Sequence, residues 1–284
     1  MWTQRFIETG RGTFEIFEKG EGEPLAITHL YSAFDSRGNA FANPFTEYYH
    51  VYLINLRGAG NSVGAQSDSE YSMDETVLDL EAIREALEIV KWAFGGHSTG
   101  GMLALKYAVL KEVSLTKIIV SGAAASFRYN TDPSCIYNHL NPNFNRIREI
   151  MNYFNDPELP VEERKKLGRE WALMSLYKEE SLEKMYEKPN SGKNVGPRLD
   201  YFRKVDCQNY DVTEQLKQVT IPAYVCTGVH DAQCPYRFGV EIAELLPNAA
   251  FTAFEQSNHY PFFEEESAFE EFAKLTLGSK EYSK

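Results

Sequence analysis

The chain has no long apolar run, few cysteines and no surplus of positive charge, and each shortage removes a class of function. Its 284 residues carry a formal net charge of -12 at neutral pH. Binding to nucleic acid or to an anionic membrane surface requires clustered Lys and Arg, and the sequence holds no such cluster. We therefore predict a small-molecule substrate and no nucleic-acid partner.

The sequence also lacks a membrane segment. No apolar stretch approaches the ~20 residues that a helix needs to cross a bilayer. The first residues, Met1–Glu8, do not show the basic region followed by an apolar region that is typical of a secretory signal. We expect a protein that does not insert into membranes and that resides in the cytoplasm; its oligomeric state stays open.

Cysteine usage and motif content exclude a disulfide framework and a cofactor. The four cysteines form no C-x-x-C pair and are too few to form a disulfide framework in a chain of this size, so free thiols are expected. No metal-ligand spacing and no phosphate-cradling G-x-x-x-x-G-K-[ST] motif occurs. The sequence therefore predicts no cofactor and no metal. The cysteines are Cys135, Cys207, Cys226 and Cys234.

What the sequence does contain is a regular alternation of short apolar strands and amphipathic helices. After a predicted antiparallel hairpin over residues 3–18, strands are expected at 25–29, 51–56 and 115–122, and a capping box at Ser72–Glu75 opens a helix that continues towards Val90. This alternation predicts an α/β fold, with a mostly parallel twisted sheet and helices on both faces.

The alternation stops between about residues 124 and 212. Helices are predicted there at 144–154, 161–177 and 181–186, separated by breaks rich in Asn, Pro and Gly. We predict a helical cap over 124–212, inserted into an α/β core made of 1–123 and 213–284. The side chains predicted to face a substrate are Leu30, Trp171, Met174 and Tyr177.

The parallel pattern resumes after the cap and continues almost to the end of the chain. A strand is predicted at 221–228, a helix at 236–246, a strand at 249–255 and a single helix at 261–277. Only the last residues, 278–284, are expected to be loosely held.

A serine flanked by glycines lies where an apolar strand turns into a helix. The segment Gly96-His-Ser-Thr-Gly100 matches G-x-S-x-G, the nucleophile elbow, with Ala93 and Phe94 before it and an apolar helix over 102–108 after it. The glycines two residues before and after the serine remove Cβ atoms that would collide in so tight a turn. Ser98 is therefore predicted to be a nucleophile.

A serine nucleophile needs a base and a carboxylate that orients the base. Asp231 lies just past the predicted strand that ends at Gly228, and His259 follows the last predicted strand, so the chain order is Ser, Asp, His. We predict Asp231 and His259 as the partners of Ser98, since no other acid follows a strand in this way. The alternatives are His230, His97 and His29 for the base and Asp206 and Glu255 for the acid.

Two backbone N–H groups are expected to hold the negative oxygen of an acyl-transfer intermediate. The first is that of Thr99, at the start of the helix after the serine. The second belongs to the loop after the first parallel strand, His29-Leu-Tyr-Ser32, where position favours Tyr31 and then Leu30.

These residues resemble the α/β-hydrolase fold superfamily, in particular its capped members, which include esterases, C–C bond hydrolases, lactonases and prolyl iminopeptidases. The resemblance spans essentially the whole chain. The sequence departs from the family pattern where Asn55 replaces Asp, where His29-Leu-Tyr-Ser32 replaces His-Gly-x-Pro, and where Asn258 replaces Gly. The matching segments are 55–62, 96–100, 228–231 and 257–259.

The resemblance implies a serine hydrolase that acts on a small, mostly apolar ester or lactone through an acyl-enzyme on Ser98. Two other hypotheses stay open. The glycine turn at 57–62 and the cap also suit a prolyl-iminopeptidase-like aminopeptidase, for which Glu179, Glu180 and Glu183 could hold a free amine. A hydrolase-fold receptor for a small ligand is the third.

Overall fold

A computed structural model of the chain describes residues 1–278 apart from 155 and 157. The tail predicted to be loose therefore lies, from residue 279 on, outside the described residues, as do two residues of the predicted break near 156. The strands are β1 (Thr3–Thr9), β2 (Gly12–Lys19), β3 (Glu23–Ile27), β4 (Ser32–Ala33), β5 (Tyr49–Ile54), β6 (Trp92–His97), β7 (Leu115–Ser121), β8 (Lys193–Asn194), β9 (Ala223–Gly228) and β10 (Ala249–Phe254).

Eight of these strands form one sheet in the order β1-β2-β5-β3-β6-β7-β9-β10. The six from β5 to β10 in that order are parallel, while the β1–β2 hairpin and its pairing with β5 are antiparallel. Neighbouring side chains point into different cores: Ala26 and Ile118 pack on one face of the sheet, Leu25 and Ile119 on the other. The predicted fold class, a mostly parallel sheet covered on both faces, is confirmed.

Helices cover both faces of the sheet. Ser72 Oγ accepts the backbone N–H of Glu75 at 3.2 Å, so the capping box opens the first helix as predicted. The helices are α1 (Met73–Ala86), α2 (Thr99–Lys111), α3 (Phe144–Phe154), α4 (Val161–Leu173), α5 (Ser181–Glu187), α6 (Gly196–Tyr201), α7 (Cys207–Asn209), α8 (Thr213–Leu216), α9 (Tyr236–Leu245), α10 (Pro261–Glu264) and α11 (Glu266–Leu275).

Three predicted helices differ from the structure, and one of them, predicted over 161–177, ends at Leu173. The first helix stops at Ala86 instead of continuing towards Val90, because Glu88 adopts a left-handed backbone with φ 58°. The predicted last helix over 261–277 is two helices, which break at Glu265.

Between β7 and β9 the chain is mostly helical. The helices α3, α4 and α5 were expected, but the run from Gly196 to Asn209 was not, since its Gly and Pro suggested a break. Pro197 lies in the first turn of α6, where a missing N–H costs nothing. The run contains a π-helical turn over Phe202–Asp206. The short strand β8 also went unpredicted; it pairs with β4 in a two-stranded ribbon.

All four cysteines are free thiols, as predicted, and Cys226 is buried in β9.

Within the described part of the chain, no helix has both the length and the apolar character that crossing a membrane requires.

Candidate active site

Ser98 occupies the sharp turn between β6 and α2. Its backbone has φ 56°, a left-handed value that is costly for a residue with a side chain, and its N–H donates to the carbonyl of Ser121 at 2.8 Å. The glycines are needed here because a Cβ on Gly96 would overlap the backbone of Gly100, and one on Gly100 would overlap the carbonyl of Thr28. The strained turn is the local geometry that the G-x-S-x-G pattern predicts.

A buried imidazole and a buried carboxylate lie together at the same edge of the sheet. His259 Nδ1 is 2.8 Å from Asp231 Oδ2 and 3.0 Å from Oδ1. Both residues are almost inaccessible to solvent. Asp231 Oδ1 also accepts the backbone N–H groups of Gln233 and Cys234, each at 2.8 Å. The carboxylate therefore fixes which nitrogen of His259 carries a proton.

The loop that carries His259 is held in place from three sides. The His259 N–H donates to the carbonyl of Ser175 at 3.1 Å, and the His259 carbonyl accepts from His97 Nε2 at 2.7 Å. The side chain of Asn258 accepts the N–H of Ala232 at 2.7 Å and joins the loops that carry Asp231 and His259. Asn at position 258, where the family usually has Gly, thus has a structural role.

His97, one of the alternatives for the base in the sequence, lies beside His259. Its ring lies 4.4 Å from the ring of His259, measured between centroids, and it packs against Phe41 and Phe262. Burial, together with the nearby His259, lowers the pKa of His97 well below its ordinary value, so the ring is neutral. A carbonyl can only accept a hydrogen bond, and the proton of His97 is therefore on Nε2.

His29 lies on the opposite side of the elbow. Its Nδ1 is 2.9 Å from Ser32 Oγ and its Nε2 is 3.3 Å from Thr99 Oγ1. Burial and the proximity of His259 lower the pKa of His29 to about 3. His29 is therefore neutral at physiological pH and packs in the loop after β3, as expected of a residue beside an oxyanion site.

The same loop is anchored by a buried arginine from α6. Arg198 is 1% exposed, and its guanidinium donates to the carbonyl of Leu30, to the carbonyl of Arg57 at 2.9 Å and to Thr76 Oγ1 at 2.8 Å. Burial lowers the pKa of Arg198 to about 10, which leaves it charged. The Leu30 carbonyl belongs to the same peptide unit as the Tyr31 N–H, and in a trans peptide the two point in opposite directions. Arg198 therefore orients the peptide that carries the predicted second oxyanion donor.

Two cavities meet at the elbow. The first, about 370 Å³, contains His259, His97 and His29, and the second, about 440 Å³, extends past Thr99 and Met102. Both volumes are in the ~300–1,000 Å³ range of small-molecule sites. The residues that line both cavities are Ser98, Tyr31 and Gln233.

Gln233 lines both cavities, and no pattern in the sequence predicts it as a site residue. Its Oε1 accepts the hydroxyl of Tyr137 at 2.5 Å, and its Nε2 donates to Ser175 Oγ at 2.8 Å and to the hydroxyl of Tyr260 at 3.3 Å. Its backbone N–H donates to Asp231 Oδ1. Gln233 therefore connects Asp231 to Tyr137 and Ser175 of the helical segment. No local motif could have indicated these contacts.

The four residues predicted to face a substrate lie in different places. Trp171 lines the first cavity. Leu30 is buried in the core and lines neither cavity, Met174 packs at the border of an apolar cluster of α3 and α4, and Tyr177 is 42% exposed and stacks on His230. Leu30, Met174 and Tyr177 thus line neither cavity. The direction of each side chain depends on how the helices pack, which the sequence pattern does not specify.

No group of three or more His, Cys, Asp or Glu side chains that could hold a metal ion is present among the residues that the structure describes.

Comparison with known proteins shows the fold family. Residues 36–266 match the family model described as the alpha/beta hydrolase fold. A solved structure of an alpha/beta fold family hydrolase from Bacillus anthracis str. Sterne is 59% identical, with a TM-score of 0.95, and the match covers 98% of this chain and 100% of that chain.

More distant relatives carry different activities in their names. A proline iminopeptidase from Heyndrickxia coagulans is 27% identical over 93% of this chain and 95% of that protein. A solved thermophilic esterase from Thermogutta terrifontis is 20% identical with a TM-score of 0.70, over 97% of this chain and 98% of that chain, and shows the fold alone. Since the family model covers most of the chain, this protein belongs to the α/β-hydrolase fold family and is a hydrolase.

Proposed function

We propose that this hydrolase is a serine esterase or lactonase that cleaves a small, mostly apolar ester through an acyl-enzyme on Ser98. The observation that carries the proposal is the position of Ser98, in a strained turn at the boundary between two cavities. One of these cavities also holds His259, which is bonded to Asp231. A candidate nucleophile and a candidate base thus line one cavity, and the carboxylate of Asp231 orients the base.

In the proposed mechanism, His259 is the general base. Its Nδ1–H donates to Asp231, so Nε2 is the nitrogen that takes the proton from the hydroxyl of Ser98 as that oxygen attacks the ester carbonyl. Asp231 stays ionised and stabilises the imidazolium that forms. His259 then gives its proton to the departing alcohol, deprotonates a water molecule that attacks the acyl-enzyme, and finally returns that proton to Ser98.

The negative oxygen of the intermediate is assigned to two backbone N–H groups. Thr99 is the first residue of α2, so its N–H has no partner within the helix. The Tyr31 nitrogen is 3.5 Å from His29 Nδ1, which is too long for a strong hydrogen bond, so its N–H is assigned to a substrate oxygen. The dipole of α2 adds to the stabilisation at this point.

We also propose that residues 124–212 act as a cap that selects the substrate. The first cavity includes Trp171 and Tyr186 from this segment, and the second includes Phe144 and Phe202. The space around Ser98 is thus enclosed by aromatic side chains of the helical segment. This lining favours an apolar acyl or alcohol group.

An aminopeptidase of the prolyl-iminopeptidase kind is the second candidate, favoured by the relative from Heyndrickxia coagulans. That activity needs acidic groups near the nucleophile to hold a free amine. No Asp or Glu lines either cavity within the described part of the chain. The candidate acids from the sequence lie elsewhere: Glu179 and Glu180 are exposed, and Glu183 pairs with Arg169 on the surface.

Labelling with a fluorophosphonate tests the nucleophile. We expect the wild-type protein to be labelled and Ser98→Ala not to be. Ser191→Ala is the control, because Ser191 lines the same cavity but donates its hydroxyl to the Gly38 carbonyl at 2.5 Å. Undiminished labelling of Ser98→Ala would contradict the proposal.

Turnover of two substrate types separates the candidates. Hydrolysis of short p-nitrophenyl esters is compared with hydrolysis of a proline arylamide under the same conditions. The esterase proposal expects steady-state ester turnover that disappears in Ser98→Ala. Strong turnover of the arylamide with negligible ester hydrolysis would establish the aminopeptidase instead.

A further inference from the structure

The second cavity contains two positive charges and no negative one. Arg148 of α3 and Arg203 of the π-helical turn line it, and among the described residues its lining includes no Asp or Glu. Ser98 and Thr99 lie in the same cavity. The remaining lining is mainly apolar or aromatic, including Met102, Tyr129, Tyr137, Met151, Leu199 and Phe202. Ser98 and two guanidinium groups thus line one mainly apolar cavity.

Neither guanidinium has an ion pair or hydrogen bond to another described residue. Arg148 only lies over the ring of Phe144, 5.3 Å from its centroid. Three other arginines of the helical segment are paired with acids: Arg146 with Glu149 and Glu170, Arg128 with Glu241, and Arg169 with Glu183. The remaining two, Arg164 and Arg198, donate to backbone carbonyls. Among the described residues, Arg148 and Arg203 are thus the arginines of the helical segment with neither an ion pair nor a hydrogen bond to another side chain or carbonyl.

The backbone around Arg203 supports a functional role. A π-helical turn is rare and costs regular hydrogen bonding, and such turns are frequent at functional sites. This one spans Phe202–Asp206, and residues of the turn and next to it, among them Phe202, Arg203 and Cys207, line the cavity. The irregular turn thereby brings a cation and an aromatic ring to the same space.

We propose that Arg148 and Arg203 bind a carboxylate at the far end of the substrate, whose ester lies at Ser98. The inference rests on the proposed esterase function and defines its substrate class: an ester with an apolar spacer and an anionic end. A planar guanidinium binds a carboxylate with two parallel hydrogen bonds, which suits it to this task. The two arginines also provide a local attraction for an anion that the negative molecule as a whole would repel.

Matched esters test the proposal. On the acyl side, mono-p-nitrophenyl adipate is compared with p-nitrophenyl hexanoate, and on the alcohol side the acetyl ester of 6-hydroxyhexanoate is compared with hexyl acetate. We expect kcat/KM to be at least about tenfold higher for the anionic member of one pair, as a charge-assisted hydrogen bond provides. The pair that shows the preference tells which side of the ester occupies the second cavity.

Variants connect the preference to the arginines. Arg148→Gln and Arg203→Gln are each expected to reduce it, and the double variant to abolish it, while turnover of the neutral esters stays within about twofold. Arg146→Gln is the control, because it removes the same charge from the same helix but lines neither cavity. Equal turnover of both esters by the wild type, or a preference that survives in the double variant, overturns the inference.

A binding measurement distinguishes failure of this inference from failure of the esterase proposal. Calorimetric titration compares hexanoate with hexanamide on the wild type and on the double variant, without turnover. We expect tighter binding of hexanoate by the wild type alone, and weaker binding as salt is raised. If no ester is hydrolysed but hexanoate shows this pattern, the anion site stands and the proposed reaction fails. If neutral esters are hydrolysed and hexanoate binds no better than hexanamide, the anion site fails and the reaction stands.

Discussion

At the scale of single residues, the candidate site contains three histidines. Two of them are neutral, and the third, His259, is the proposed general base. His97 and His29 flank His259, and burial keeps both in the uncharged form. A charged neighbour at either place would oppose formation of the His259 imidazolium during the reaction. Their neutrality therefore leaves Asp231 as the charge that acts most directly on His259, the proposed base.

The hydrogen bond from His97 to the His259 carbonyl gives one prediction. His97→Phe keeps a ring in place but leaves that buried carbonyl without its donor, so His259 shifts and ester kcat falls by about tenfold or more. His97→Gln, whose amide can donate, should recover most of the rate. Steady-state kinetics with a short p-nitrophenyl ester measures both. Equal loss in the two variants would show that the ring packing matters and the hydrogen bond does not.

Asp206 gives a prediction on stability. Burial raises the pKa of Asp206 to about 6, although its Oδ2 accepts the Met73 N–H at 3.2 Å. Between pH 4 and 6 the folded protein then binds more protons than the unfolded chain, so the stability associated with this group is lost as pH rises through about 6. Asp206→Asn should remove this dependence and raise the free energy of unfolding at pH 7 by about 1 kcal/mol.

Urea unfolding at pH 4, 5, 6 and 7 measures the effect of Asp206. The exposed Asp68 of the same region provides the control substitution, Asp68→Asn, which should leave the pH dependence unchanged. A slope that persists in Asp206→Asn would show that another group is responsible for it.

At the scale of secondary-structure elements, the loop after β3 is fixed by the helical segment as well as by the sheet. Strand β8 pairs with β4, and the N–H of Val195 donates to the carbonyl of Tyr31 at 2.8 Å. Arg198 from α6 holds the preceding carbonyl. The predicted oxyanion loop thus depends on elements about 165 residues further along the chain.

Arg198→Lys tests the role of this anchor. Lysine keeps a charge but cannot hold three acceptors in the planar arrangement of a guanidinium, so the Leu30–Tyr31 peptide is released. We expect ester kcat to fall by about tenfold, with KM changed far less, because loss of one oxyanion donor acts on the transition state. The measurement is the separate determination of kcat and KM, together with the melting temperature.

Arg84→Lys is the matched control for Arg198. Arg84 is also largely buried and donates to backbone carbonyls, those of Ile89 and Val90, but it lies at the end of α1 and lines neither cavity. Its replacement should lower the melting temperature without changing kcat. If Arg198→Lys behaves in the same way, Arg198 is only a structural residue.

At the scale of the whole molecule, residues from the sheet loops and from the helical segment line the same two cavities. A group bound covalently to Ser98 contacts both parts, and it should stabilise them together. We expect a phosphonate adduct to raise the melting temperature by about 3 °C or more in a single transition. Calorimetry of the labelled and unlabelled protein measures this. Ser98→Ala treated with the same reagent should not change, and an unchanged melting temperature of the labelled protein would contradict the expectation.

The parts of the fold that the sequence predicted are those with a local signal. Continuous apolar runs, such as 51–54 in β5, indicated buried parallel strands, and the capping box at Ser72 marked the start of α1. The run from Gly196 to Asn209 was missed because its Gly and Pro are typical of breaks, although here both lie in the first turn of a helix that tertiary packing stabilises.

The sequence by itself determined the α/β fold, the elbow at Ser98 and the prediction of Asp231 and His259 as its partners, because each rests on a local pattern, an apolar strand and the residues just after it. Tertiary structure decided the rest. It brought His97 to the carbonyl of His259 and Arg198 to that of Leu30, and it placed Arg148 and Arg203 in one cavity with the serine. These contacts join positions far apart in sequence, and their formation depends on how helices pack over the sheet, which no local pattern specifies.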